Sequence, residues 1–88
     1  MPEPIEFQPK DDSMMTWDGR ILEIFAGSVS SRFHAKGIAD IEIKEKGMAR
    51  GITVENRFGT DVGIGFDKEK LPEVREFVDR VLAEARDA

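Results

Sequence analysis

Eighty-eight residues without a single cysteine make one domain with no disulfide staple, no thiol chemistry and no cysteine zinc site, so its apolar core must hold the fold. Eighteen acidic against thirteen basic side chains leave a net charge of −5, which argues against general binding to nucleic acid or anionic lipid, since both need a basic field. The 40% hydrophobic content is that of a folded domain; no apolar run approaches the roughly 18 residues of a membrane span, and the acidic, proline-bearing start does not read as a secretory signal, so a cytoplasmic location is expected.

Residues 1–13 read as a mobile lead-in. They hold Pro2, Pro4 and Pro9, each without a backbone donor, with a short edge strand over residues 5–7 and a turn up to Ser13. The single domain is expected to span 14–88, with strands over 14–66 in which apolar residues recur every second position. Residues 14–17 form one strand and 20–25 the next. Asp18-Gly19 between them predicts a type I′ hairpin turn, which needs positive φ at both central residues. Beyond it, Leu22 and Ile24 share one face and Ile21 and Phe25 the other, so this strand is expected in the middle of a sheet. Residues 30–35 place Phe33 inward and Arg32 and His34 outward.

Residues 38–44 alternate with Ala39, Ile41 and Ile43 on the core face and Asp40, Glu42 and Lys44 outside, as in a half-buried antiparallel strand. A turn at Gly47 leads to residues 51–56, with Ile52 and Val54 inward. A second turn around Gly59 leads to 61–66, with Val62, Ile64 and Phe66 inward. Glycine in a strand marks sharp bending or a close backbone approach, and Gly63 and Gly65 on the opposite face suggest a strongly coiled strand or, as the alternative, a bare groove where a peptide or partner could lie. A helix over about 71–86 follows. Pro72 stands in its first turn, and Val74, Phe77, Val78, Val81, Leu82 and Ala85 make one stripe at helical spacing. Arg75–Asp79, Glu76–Arg80 and Arg80–Glu84 are spaced for ion pairs on its other sides.

The stretches WDGRILEI, SRFHAKGIADIEIK, GITVEN and VGIGF, followed directly by the final helix, resemble the small bacterial members of the pleckstrin-homology (PH-like) superfamily over roughly residues 5–86. That resemblance implies about seven short antiparallel strands in a bent orthogonal sandwich or partly open barrel, capped by one C-terminal amphipathic helix. The chain lacks the Lys/Arg run between the first two strands on which phosphoinositide recognition depends, so the lipid-binding role of that superfamily does not carry over.

No catalytic, metal or cofactor residues stand out. His34 is the lone histidine, and Glu42, Glu45, Glu55 and Asp61 are spread along the chain at mostly outward phases, as solvated charge. Residues 26–37 contain no acid, and Arg32, His34 and Lys36 on one strand face are the candidate contacts for an anion or a partner's carboxylate. Trp17 is a core residue or an interface aromatic. The leading functional reading is therefore a non-catalytic protein-interaction or scaffold domain whose partner is another protein or a second copy of the chain. The alternatives are an anion- or phosphorylated-ligand-binding module using Arg32, His34 and Lys36, and a small acidic inhibitor or immunity-type protein.

Overall fold

A computed structural model describes residues 4–87. Seven antiparallel strands and one helix follow in the order β1 (Ile5–Phe7), β2 (Ser13–Trp17), β3 (Ile21–Ala26), β4 (Val29–His34), β5 (Ile38–Lys46), β6 (Ala49–Asn56), β7 (Val62–Gly65) and α1 (Leu71–Arg86). The mainly-β reading with a C-terminal helix holds. The strands form two sheets, β1-β2-β3-β4 and β5-β6-β7, and not one closed barrel. Two single 3₁₀ turns that alternation does not reveal join the parts: Ala35–Gly37 between the sheets and Lys68–Lys70 before α1. Of the residues 1–13 expected as a mobile lead-in, 1–3 lie outside the described residues, and the rest are not a loose lead-in. From Ile5 onward the chain is built into the first sheet: Pro9 is buried and its carbonyl accepts from the Asp67 N–H at 3.0 Å.

The turns follow from where glycine stands. Gly27 and Gly47 each take the first central position of a two-residue hairpin with positive φ, the place that a type II′ turn reserves for glycine. The type I′ turn expected at Asp18-Gly19 does not form, because Asp18 keeps a negative φ and Gly19 alone is left-handed. The Asp18 carboxylate instead accepts the Arg20 and Ile21 N–H groups at 2.8 and 2.7 Å, and these two hydrogen bonds, Ile21's foremost, hold its pKa below the ordinary 3.8. A carboxylate with a lowered folded pKa stabilises the fold at pH above its unfolded value, and this contribution disappears as pH falls through the folded value. Asp18→Ala is accordingly expected to cost about 1 kcal/mol at pH 7, the scale of losing a side-chain cap. Urea melts at neutral pH and below pH 3.8 should show that difference shrinking in acid.

β5 departs from simple alternation. Ile38 pairs with Asn56 and Asp40 with Glu55, so Ala39 is the extra residue of a β-bulge. The bulge shifts the phase: Ile38 and Ile41 are both buried and Ala39, expected on the core face, is exposed. Gly63 and Gly65 answer to no close approach, since an added Cβ would meet Thr53 Oγ1 at 3.8 Å and the Arg50 carbonyl at 3.5 Å, ordinary contacts.

The inner faces of both sheets and the stripe of α1 share one interior. Leu22, Ile24, Phe33, Ile41, Ile52, Val54, Ile64, Phe66, Val74, Phe77, Val78 and Val81 are buried there, while Ile43, Val62 and Leu82 are only partly buried at its margin. Phe7, Met15, Trp17, Ala35 and Ile38 complete it. Phe7 and Phe77 pack ring against ring at 5.4 Å, which ties the first sheet's edge to the helix. β3 lies between β2 and β4, as its two apolar faces imply, although Phe25 on the outer face remains 39% exposed. Of the three expected helix pairs, only Arg80–Glu84 closes, at 2.9 Å; Arg75 reaches across to Glu45 on β5 at 4.0 Å. No helix among the described residues is long and apolar enough to cross a membrane.

Candidate functional site

The link between the sheets builds one wall of a surface cleft. β4 ends where the Ala35 N–H donates to the Arg20 carbonyl at 2.7 Å. His34, the last residue of β4, caps the 3₁₀ turn: its Nδ1 accepts the Lys36 N–H at 3.2 Å. The turn then delivers the chain into the bulge of β5, and the Arg57 N–H, just past β6, donates to the Gly37 carbonyl at 2.8 Å. The last turns of α1 face this corner. Between them lies a cleft of about 340 Å³ with a floor of Ala35, Ile38, Ala39, Leu82 and Ala85 and a rim of Lys36, Arg57 and Arg86. The Arg57 Nε donates to the Ile38 carbonyl at 3.5 Å, a long contact that lays the side chain along the cleft wall.

The three candidate contacts of residues 26–37 are therefore not one strand face. Lys36 sits in the 3₁₀ turn and lines the cleft. His34 spends its Nδ1 on the cap. Arg32 pairs with Glu23 across the strands, Nε to Oε2 at 3.7 Å. The structure groups Lys36 instead with Arg57 and Arg86, which are far from it in sequence. Trp17 is no interface aromatic: it is 1% exposed, and its Nε1 donates to Glu84 Oε1 at 3.1 Å. The exposed aromatic at this corner is Phe58, 81% exposed, whose ring would lie 3.5 Å from a Cβ on Gly37. An Asn56 Oδ1 acceptor for the Phe58 N–H and an Asp61 Oδ1 acceptor for the Asn56 N–H shape the loop that carries it, at 3.0 Å each.

Acidic groups gather on the other face of the β5–β6 hairpin. Asp40, Glu42 and Glu55 bring carboxylate oxygens within 4.8 Å of one another, so these acids are not spread out as sequence position suggests. Oxygen donors at this spacing are what a hard divalent cation takes, but Glu42 is also paired with Lys44 at 3.5 Å and Asp40 Oδ1 accepts the Ile41 N–H at 2.9 Å. The measurable consequence is repulsion: Glu42 first, then burial, Asp40 and Asp61, push the Glu55 pKa above its ordinary 4.5. A carboxyl whose folded pKa is raised favours the fold while protonated and weighs against it once pH rises past the folded value. Glu55→Gln is expected to raise the melting temperature at pH 7, with the gain shrinking as pH falls through the carboxylate range.

The opposite flank of α1 carries a smaller groove of about 180 Å³ against the edge strand β1, lined by Ile5, Phe7 and Phe77 with Glu6, Glu73, Glu76 and Arg80. The two flanks of the helix thus differ in sign, and the basic one is the larger. No family model matches the chain, and no curated protein or solved structure matches it.

Proposed function

We propose that this chain is a non-catalytic protein-interaction domain of the small bacterial PH-like kind, and that it holds an extended segment of its partner in the cleft between β5 and α1. The observation that carries this reading is the edge position of β5. It hydrogen-bonds to β6 alone, in the order β5-β6-β7, and beside it lie an apolar floor and the exposed ring of Phe58. An open edge offers main-chain donors and acceptors, and flanking side-chain contacts give an added strand its specificity. The order of two consecutive meanders followed by a terminal helix supports the PH-like part of the reading.

Selection of random peptides displayed against the full chain tests this. Peptides that bind the parent should lose binding to Ala39→Trp, which fills the cleft from an exposed position, while the variant's melting transition stays near the parent's. Retention of binding by that variant, or enrichment of no peptide at all, would remove the reading.

A further inference from the structure

Resting on that reading, we infer that the partner segment is acidic, with an Asp or Glu carboxylate placed among Lys36, Arg57 and Arg86 and small apolar residues beside it. Three cationic side chains, from the 3₁₀ turn, the loop after β6 and the end of α1, line a volume of about 340 Å³, and no carboxylate is among the lining residues. In a chain of net charge −5 this is a local reversal of sign. Seven of the thirteen cationic side chains have a carboxylate within 4.0 Å; Lys36, Arg57 and Arg86 have none among the described residues, and unlike Arg20, Lys46 and Lys68, which also have none, these three line one cleft. A bound carboxylate gains charge-assisted hydrogen bonds there without displacing an internal carboxylate; the Arg57 Nε contact to the Ile38 carbonyl, long at 3.5 Å, leaves its terminal nitrogens to the ligand.

The rest of the lining separates a peptide from a bare ion. Ala35, Ile38, Ala39, Leu82 and Ala85 form a floor that inorganic phosphate has no use for and that short apolar side chains cover well. The overall negative field opposes an extended polyanion such as a membrane surface, but one carboxylate meets mainly the three nearby cations.

The displayed-peptide selection supplies the probe, and its sequence content supplies the test. Enriched peptides should carry Asp or Glu among small apolar residues. In fluorescence anisotropy, an enriched peptide should weaken about tenfold when its acids are replaced by Asn or Gln, and about three- to tenfold with each of Arg57→Gln and Arg86→Gln. Raising the salt from about 50 to about 300 mM should weaken it further. Neutral or basic enriched peptides, or binding indifferent to salt and to both substitutions, would overturn the acidic assignment while leaving a peptide-binding cleft standing. Displacement of the peptide by millimolar inorganic phosphate, or tighter binding to phosphatidylserine vesicles than to any peptide, would assign the cations to a simple anion or a lipid surface and overturn the proposal. Failure to enrich any peptide would end both this inference and the functional reading beneath it.

Discussion

Phe77→Ala is expected to cost about 3–5 kcal/mol, the largest loss from any single truncation on α1. Phe77 is 6% exposed and its ring meets Phe7 on the opposite layer, so the truncation empties space between the first sheet's edge strand and the helix. A chain of this length has a net stability of roughly 4–13 kcal/mol, so the loss is a large share of the whole. At about 4–8 °C per kcal/mol for a domain of this size, the midpoint of thermal unfolding should fall by roughly 12–40 °C. Phe77→Leu, which keeps most of the volume, should cost about 1–2 kcal/mol. A truncated protein that melts within a few degrees of the parent would mean that α1 is not packed as described.

Trp17→Ala should be comparably damaging, at about 3–5 kcal/mol, because it removes the largest of the wholly buried side chains. Trp17 also joins the end of β2 to the C-terminal part of α1 through its hydrogen bond to Glu84. That bond, after the stronger one from Arg80, keeps the Glu84 carboxyl below its ordinary pKa. The Glu84 side chain is 39% exposed and screened by solvent, so Glu84→Gln should change stability by less than about 1 kcal/mol. Trp17→Phe fills part of the space and gives up the indole donor, for about 1–3 kcal/mol. The expected order in urea melts is Trp17→Ala, then Trp17→Phe, then Glu84→Gln. A Trp17→Ala protein as stable as the parent would return Trp17 to the surface and to an interaction role.

Much of the architecture was legible because period-two and period-3.6 patterns are direct consequences of burying one face. The alternation in residues 51–56 and the stripe from Val74 to Ala85 correspond to β6 and to α1, whose bounds are Leu71–Arg86. The phase of β5 was not legible. A bulge inserts one residue, and nothing in the residues 38–40 marks Ala39 as the extra one. Asp18-Gly19 misled for a related reason: the aspartate side chain supplies the turn's acceptors, so its own backbone need not become left-handed.

The candidate site was legible only in part. Lys36 stood out because residues 26–37 lack acids, but His34 and Arg32 were drawn into local bonds that alternation cannot foresee. Arg57 and Arg86 reach Lys36 only through tertiary structure. One signal was available for Arg57: counting outward from the Gly47-Met48 turn places residue 57 across from the start of β5. The same count sets Asp40 opposite Glu55, the pair at the heart of the acidic cluster. Arg86 had no such marker, since the approach of the helix end to β5 depends on how the core packs.

The decisive measurement is a backbone amide titration of the isotope-labelled chain with a selected acidic peptide. Chemical-shift changes concentrated in residues 35–41, around Arg57 and Phe58, and in residues 82–86 are the predicted outcome. Changes confined instead to β1, to β4 or to the outer face around Phe25 and Val29 would contradict it.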